Sequence, residues 1–300
     1  YSDEQQITAK GFPTLHMYKP NYSPQLLRSV MYINHLQLFP NTLFETVGGY
    51  REGFEGSQDH DLALRMIEHT KPQHIAALAY LWRRGSVSMS VEHGRIGNIS
   101  IDASRRALED HFERQGLTAD VTPYFLVAAP GKEPQATGTF VSRIIPSAMS
   151  KISIVIPCKL GSTAVVGTDS ITVLEHCLLA IRQSLFEDGK SAPALLELEI
   201  ILVLNHEDDR EHASSLISTF DLTGFALCDE PGFNFSRKCN LGANHASGQI
   251  VVFLNDDTAF ETKGWASHVI SLLEEEDVAC VGGMLLNSDR TVQSCGDNIG

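Results

Sequence analysis

Three apolar runs in the second half of the chain constrain the fold more than any other feature of the sequence. They read KISIVIP at 151–157, LEIILVL at 198–204 and GQIVVFL at 248–254. Continuous Val, Ile and Leu are typical of strands that are covered on both faces. Between the first two runs, ITVLEHCLLAIRQSL at 171–185 has apolar residues at helical spacing. This alternation predicts an α/β fold with a mainly parallel, doubly wound sheet that carries helices on both faces.

The third run stops at Asn255, Asp256 and Asp257, which places two adjacent carboxylates at a strand end. Ligands of doubly wound sheets bind outside the carboxyl ends of the strands. Adjacent carboxylates repel each other unless a cation is bound or water is plentiful. Magnesium and manganese suit such a tip, because they take one or two carboxylates and fill their other positions with water and phosphates. On local sequence alone, a solvated turn in which these residues only cap the strand remains an equal alternative.

Composition limits the partners of such a site. The chain of 300 residues has a net charge of −14 and no apolar stretch near the roughly 20 residues that span a bilayer. We therefore expect a soluble, cytoplasmic protein, and we expect its six cysteines, which lack Cys-x-x-Cys spacing, to be reduced thiols. Residues 151–300 contain 22 acidic and 9 basic side chains, whereas residues 1–150 contain 15 and 14. This charge argues against nucleic acid as a partner.

The first half has a different organisation. A Gly-rich segment at 43–57 runs into a helix that we expect to begin near Asp59 or Asp61, and HIAALAYLWRR at 74–84 predicts a strand. A further helix at 103–115 ends at Gly116, a suitable C-terminal cap. APGKEPQATGT at 129–139 has the composition of a linker. We predict two domains, 1–115 and 151–300, joined by a linker at 116–150.

A basic helix leads into the acidic strand. In FNFSRKCNLGANHASGQIVVFLNDDT at 233–258, Ser236 is a candidate cap for a helix that carries Arg237, Lys238 and Asn240. Cations at a helix start near an anion site suit a diphosphate ligand. The alternative is an ordinary amphipathic helix with solvated charges.

The second half resembles the family 2 glycosyltransferases, which use nucleotide sugars and have the GT-A fold. The resemblance covers nearly all of 151–300 and is carried by KISIVIPCK, EIILVLN, the segment 233–258, Gly-Trp at 264–265 and VACVGGMLLNSDRTVQSCG. It implies that Pro157, Lys159 and Asn205 contribute to nucleotide binding, and that Asp257, assisted by Asp256, binds a Mg or Mn ion on the sugar diphosphate. Arg237 and Asn240 are implied as further nucleotide-binding residues.

The first half resembles a different part of the same family. YSDEQ at 1–5 is similar to the metal motif, which implies Asp3 as a ligand, and the Gln-Asp-x-Asp segment at 58–61 is similar to the one that carries the catalytic base. The resemblance implies that Asp59 is the base and that Asp61 assists it. From local sequence alone, Asp59 is equally well an N-cap and Asp61 a favourable first-turn charge.

Three positions depart from the family pattern. Gln5, Leu204 and Leu81 stand where the family usually has a metal-site carboxylate, a nucleoside-binding Asp and a His. Two other groups of residues have structural alternatives. Trp82 and Trp265 are candidates for stacking on sugars, although packing is the simpler role, and the histidines lack metal-ligand spacing.

Together the resemblances imply a fragment of a tandem bacterial enzyme, running from the acceptor-side part of one GT-A domain into the nucleotide-sugar-binding part of the next. The implied activity is metal-dependent, inverting transfer of a sugar from a nucleotide-diphosphate sugar to a growing cell-surface glycan, such as an O-antigen or other polysaccharide. The acceptor is a glycan or lipid-linked glycan, through which the protein would associate with the inner face of the membrane. The alternative is a degenerate, non-catalytic module that binds glycan or acts as a scaffold.

Overall fold

The computed structural model describes residues 1–83, 93–126, 135–146, 148–166, 169–185, 196–229 and 234–295. The chain forms two compact units, Tyr1–Ile144 and Ile145–Gly300. Each unit has its own hydrophobic core. Within the described residues, no helix has both the length and the apolar character needed to cross a membrane.

The second unit is built around a four-stranded sheet whose strand order is β10-β9-β6-β11. All three strand pairs are parallel, as the sequence predicts. Its elements are β6 (Ser150–Pro157), β7 (Thr163–Val166), β8 (Asp169–Thr172), α5 (Val173–Ser184), β9 (Leu196–Leu204), a 3-10 turn (Glu207–Asp209), α6 (Arg210–Thr219), β10 (Gly224–Cys228), α7 (Phe235–His245), β11 (Ile250–Phe253), α8 (Trp265–Leu273), β12 (Leu285–Leu286) and β13 (Val292–Ser294).

Both faces of the central strands are buried, which explains why their sequences do not alternate. On β6, Ile154 and Ile156 belong to the large cluster that includes residues of α5, α6 and α8. Val155 points to the opposite face, where it clusters with Ile201 and Val203. The prediction of strands covered on both faces is therefore confirmed for β6 and β9. It is wrong for β11, which is only partly buried and whose Phe253 is 54% exposed.

Helix α7 approaches the sheet closely because of one glycine. A Cβ atom added to Gly242 would lie 2.3 Å from Cγ1 of Val155, well inside van der Waals contact. The N-cap of this helix is Asn234, whose side chain accepts from the amide of Arg237 at 2.9 Å. The predicted cap at Ser236 is wrong, because Ser236 is already inside the helix.

A buried carboxylate fixes the loop between α7 and β11 to the sheet. Glu199 Oε2 accepts from Ser153 Oγ at 2.6 Å and from the Ser247 amide at 3.0 Å, and Oε1 accepts from Ser247 Oγ at 2.7 Å. Burial opposes ionisation of Glu199, but these bonds together with Lys151 lower its pKa to about 2. The start of β11 is thereby held beside β6.

The first unit contains a three-stranded sheet of order β2-β1-β3, in which β1 pairs antiparallel with β2 and parallel with β3. The strand predicted at 74–84 is confirmed as β3. The elements are β1 (Ser2–Ile7), β2 (Pro13–Met17), α1 (Pro24–Leu27), α2 (Asn41–Thr46), α3 (Gln58–Ile67), β3 (Ile75–Arg83), α4 (His93–Arg114), β4 (Ala119–Leu126) and β5 (Gln135–Ile144).

The segment 116–150, predicted as a linker, instead contains the antiparallel hairpin β4-β5. Val121, Phe140 and Ile144 of this hairpin are buried in the core of the first unit. Part of the Pro/Gly/Thr stretch, 129–134, lies outside the described residues. The two units divide between Ile144 and Ile145, within the predicted interval but at its far end.

Candidate functional site

Asp256 and Asp257, which follow β11 and are called the acidic tip below, lie at the carboxyl edge of the parallel sheet. The pairing of β11 with β6 continues past Phe253, since the Leu254 amide donates to the Val155 carbonyl at 3.0 Å. Two residues further on, Asp256 Oδ2 accepts from the backbone amide of Lys159 at a long 3.4 Å. The end of β11 and the end of β6 therefore meet, and the predicted position of Asp256 is confirmed.

The two carboxylates of the tip are in different environments. Asp256 is half-buried, and burial raises its pKa, with the neighbouring charge of Asp257 adding to the rise and the Lys159 amide opposing it. Asp257 is exposed. A carboxylate that is disfavoured by both burial and repulsion gains from a nearby cation.

The donor set at this tip fits a divalent cation that takes most of its ligands from elsewhere. Among the residues that the structure describes, no group of three or more His, Cys, Asp or Glu is arranged to hold a metal. Asp256 and Asp257 are two oxygen donors, which is the number that magnesium commonly takes from a protein when phosphates and water complete its shell. An all-protein metal cage is not formed by these ranges.

The strand ends beside the tip are joined to each other. Pro157 is the last residue of β6, and the Cys158 amide donates to the Val203 carbonyl at 3.0 Å. Asn205 follows β9 directly and is half-buried. The structure thus brings Pro157, Lys159 and Asn205 to one edge with the acidic tip, whereas Leu204, in the position of the usual Asp, is fully buried in the core.

Lys238 is a residue of this edge that the site prediction left out. It is 1% exposed, and its Nζ donates to the carbonyls of Val203 at 2.8 Å and Cys158 at 3.5 Å. The sequence contained a signal, because Lys238 precedes Leu241 and Gly242 by three and four residues and therefore shares their sheet-facing side of α7. Adjacent basic residues do not by themselves indicate which one is buried.

The two predicted site residues of α7, Arg237 and Asn240, are exposed to solvent, unlike the buried Lys238. Arg237 is half-exposed, and its Nε donates to Asp229 Oδ1 at 2.7 Å. Asn240 is exposed on the helix. Neither makes a described contact with the acidic tip, so their roles in nucleotide binding stay predictions.

In the first unit, Asp59 lies in the first turn of α3. The N-cap is Ser57, so the alternative in which Asp59 caps the helix is wrong. Asp59 is partly exposed, and its Oδ1 accepts from the His60 amide at 2.9 Å. A partly exposed carboxylate at a helix start retains the access that a base needs.

Asp61 is fully buried between two guanidinium groups. Arg51 Nε donates to Oδ1 at 3.0 Å, and Arg65 donates to Oδ2 through Nε at 3.1 Å and Nη2 at 2.6 Å. Burial opposes ionisation, but the two arginines hold the pKa of Asp61 below its usual value. Arg65 also donates to the Gly49 carbonyl at 2.7 Å. These contacts make Asp61 a residue that fixes the preceding loop, and they leave it no access to take a proton from an acceptor.

Asp3 has partners other than a metal. It is buried in β1, where its Oδ1 accepts from the Lys19 amide at 2.9 Å and contacts His74 Nε2 at 2.8 Å. The adjacent Glu4 is also buried and pairs with Lys19 and His35. The residues around Asp3 therefore do not fit the predicted cation, because Oδ1 already has two partners and the ammonium of Lys19 pairs with the adjacent Glu4.

The tryptophans and one histidine have packing roles. Trp265 is 6% exposed, stacks on Phe260 with ring centroids 4.2 Å apart, and donates from Nε1 to Ser184 Oγ at 3.0 Å. Trp82 lies beside His35 at 5.2 Å. His60 is buried and its Nε2 contacts the Leu27 carbonyl at 2.8 Å.

The first unit also contains an apolar cavity of about 360 Å³, lined by residues that include Tyr1, Ile33, Ala63 and Ile75. None of the predicted site residues lines it.

The second unit thus presents an acidic pair and two joined strand ends at the carboxyl edge of a parallel sheet, which is where sheets of this kind bind their ligands. The model of the family "Glycosyl transferase family 2" matches residues 153–294. Residues 153–294 of the second unit therefore match the family 2 glycosyltransferases, which confirms the resemblance found in the sequence.

Two curated proteins are similar to the whole chain. It is 32% identical over 301 residues to "O-antigen biosynthesis protein RfbC" of Myxococcus xanthus, and covers 21% of that protein. It is 30% identical over 305 residues to "Uncharacterized protein y4gI" of Sinorhizobium fredii (strain NBRC 101917 / NGR234), and covers 31% of it. Each alignment includes all of this chain. The chain therefore spans about a fifth of the length of the Myxococcus protein and about a third of the length of the Sinorhizobium protein.

Proposed function

We propose that this chain takes part in the transfer of a sugar from a nucleotide-diphosphate sugar to a growing cell-surface polysaccharide, with the second unit binding the donor. The observation that carries the proposal is the meeting of Asp256 with the end of β6 at the carboxyl edge of the sheet. The family match and the O-antigen function in the name of the Myxococcus relative support it. The acceptor in this proposal is a glycan or lipid-linked glycan at the cytoplasmic face of the membrane.

The two units contribute different parts of the chemistry to two separate GT-A sites, a donor site in the second unit and an acceptor side in the first. At the donor site, Asp256 and Asp257 would hold a Mg or Mn ion, which would supply charge neutralisation to the departing diphosphate. Pro157, Lys159 and Asn205 form the adjoining nucleoside site, and Arg237 and Asn240 approach it from α7.

At the acceptor, the hydroxyl oxygen attacks C1 of the sugar while the bond from C1 to the diphosphate oxygen breaks, which inverts the anomeric centre. The hydroxyl proton passes to the carboxylate of Asp59, acting as general base for a GT-A site of which the first unit forms part, and such a base contributes about 10²–10⁴-fold. Asp61 contributes by holding the loop before Asp59.

Cation-dependent nucleotide binding tests the donor site. Calorimetric titration of UDP, GDP and dTDP should detect binding of at least one of them in Mn²⁺ and none in a chelator. Asp257→Asn should weaken this binding by tenfold or more, about 1.4 kcal/mol. It should leave thermal stability unchanged or slightly raised, since Asp257 is exposed and its removal relieves repulsion with Asp256.

The matched control is Asp221→Asn, the same change in the same unit. Asp221 is exposed, precedes β10 at the opposite end of the sheet, and has φ 54, a conformation that Asn tolerates. It should leave nucleotide binding unchanged. Equal binding in Mn²⁺ and in chelator, or an Asp257→Asn variant that loses stability but binds normally, would contradict the proposed donor site.

One observation favours a second candidate function, which concerns the first unit alone. Because Asp3 and Glu4 are engaged by Lys19, His35 and His74, this unit fits a module that presents an acceptor better than one that binds its own metal. Binding of polysaccharide fragments with no effect of Asp59→Asn on sugar transfer would favour this non-catalytic role.

A further inference from the structure

One peptide group lies between a buried ammonium and the acidic tip. The carbonyl of Cys158 accepts from Lys238 Nζ at 3.5 Å, while the amide of the same peptide unit, on Lys159, donates to Asp256 Oδ2 at 3.4 Å. The cation thus faces the negative end of the peptide dipole and the carboxylate faces its positive end. Contacts arranged in this way polarise one another and are mutually strengthening.

Folding alone gives little reason for a lysine at this position. Among the described residues, the contacts of its ammonium are two backbone carbonyls, and no carboxylate forms an ion pair with it. Burial lowers the pKa of Lys238, and the negative charges of Asp229 and Asp256 oppose this. Removing an ammonium from water without an ion-pair partner costs several kcal/mol, and an apolar residue of similar length would fill the same space.

The ammonium of Lys238 is also not needed to hold strands β6 and β9 together. Strands β6 and β9 pair in parallel register up to Pro157 and Val203, and the Cys158 amide extends the pairing to the Val203 carbonyl. The strand ends are therefore joined without Lys238. What Lys238 adds is a positive charge on the side of the Cys158–Lys159 peptide that is opposite Asp256.

We propose that Lys238 is a positioning residue of the donor site, which acts through the Cys158–Lys159 peptide to orient the carboxylate of Asp256 toward the cation and diphosphate. The inference rests on the proposed donor function of the second unit and goes beyond it, because Lys238 is buried and touches neither ligand. Groups that orient the ligands of a metal commonly affect metal affinity 10–100-fold.

The variant Lys238→Met tests this role, since it removes the charge and keeps an unbranched side chain only one atom shorter. Titration of the full chain with the nucleoside diphosphate that binds best in Mn²⁺ should show affinity weakened by about 10–100-fold. The melting temperature should be unchanged or higher, because an unpaired buried charge has been removed. A residue that serves only the fold would show the reverse, a lower melting temperature and normal affinity.

Two further variants make the test specific. Lys151→Met makes the same chemical change at the amino end of β6, where Lys151 pairs with Glu199, and should leave nucleotide affinity unchanged. Lys238→Gln keeps a donor for the Val203 carbonyl but has no charge, so we expect it to bind as weakly as Lys238→Met. Wild-type affinity in Lys238→Gln, or in Lys238→Met, would overturn the inference.

The outcomes also separate this inference from the proposed function. If wild-type protein binds nucleotide and Lys238→Met binds it equally well, the positioning role alone is wrong. If wild-type protein binds none of the nucleoside diphosphates in Mn²⁺, the donor site itself is wrong and the role of Lys238 falls with it. A Lys238→Met variant that cannot fold would show a structural role and would likewise overturn the inference.

Discussion

Two carboxylates in one helical turn of the first unit have different roles because of what surrounds them. Asp61 is fully buried against Arg51 and Arg65, whereas Asp59 is partly exposed and contacts the amide of its neighbour. The same substitution at the two positions therefore separates a structural carboxylate from a candidate catalytic one.

We expect Asp61→Asn to lower the free energy of unfolding by about 3–5 kcal/mol, because it leaves the buried guanidinium of Arg65 facing a neutral amide, whereas Arg51 keeps its ion pair with Asp110. Asp59→Asn should cost no more than about 1 kcal/mol, the value of a favourable charge in a first helical turn. Urea unfolding of both variants, followed by circular dichroism, measures the difference. Equal losses at the two positions would show that the burial of Asp61 does not determine its contribution.

The sequence predicts which residues reach the site better than it predicts their partners. Asp256 at the end of an apolar run could be placed at the sheet edge from the strand pattern alone. The partnership of Asp61 with Arg51 could not, because Arg51 lies ten residues away along an irregular loop. The buried state of Lys238 likewise depends on how α7 lies against two strands that are distant in sequence.

At the scale of elements, the approach of α7 to the sheet depends on Gly242. We expect Gly242→Ala to destabilise the second unit, since the overlap of its Cβ with Val155 Cγ1, worth about 1–3 kcal/mol, outweighs a helix-propensity gain of about 1 kcal/mol. Chemical denaturation followed by Trp265 fluorescence reports the change, because Trp265 is buried in this unit.

Two comparisons identify the cause of that loss. Gly282→Ala is the control, because a Cβ at Gly282 meets nothing within 4 Å, and we expect a change within about 0.5 kcal/mol. Shortening the opposing side chain with Val155→Ala should cost less in the Gly242→Ala background than in the wild type. Additive losses would indicate that the two side chains do not collide.

Strands β6, β9 and β11 were predictable because each is a continuous apolar run, which in β6 and β9 is buried on both faces. The hairpin β4-β5 was not, because Pro123 interrupts one strand and the Pro/Gly-rich stretch at 129–139 has a loop composition. Its burial depends on contacts of Phe140 and Ile144 with the core of the first unit, which no local pattern reveals.

At the scale of the whole molecule, the two hydrophobic cores do not share residues. The buried cluster of the first unit is drawn from residues between Tyr1 and Ile144, and the large cluster of the second from residues between Ile152 and Ile270. Units with separate cores and about 150 residues each have the size and organisation of domains that fold alone.

We therefore expect residues 145–300, produced alone, to unfold in a single cooperative transition and to bind the same nucleoside diphosphate in Mn²⁺ as the full chain. The physical reason is that Asp256, Asp257, Lys238 and the ends of β6 and β9 all belong to the second unit, as do the residues that support them. Circular dichroism melting and calorimetric titration of the two proteins provide the comparison, with residues 1–144 as the control that should bind no nucleotide. A folded 145–300 fragment that has lost nucleotide affinity would mean that the first unit contributes to the donor site, and would assign part of that site to residues before Ile145.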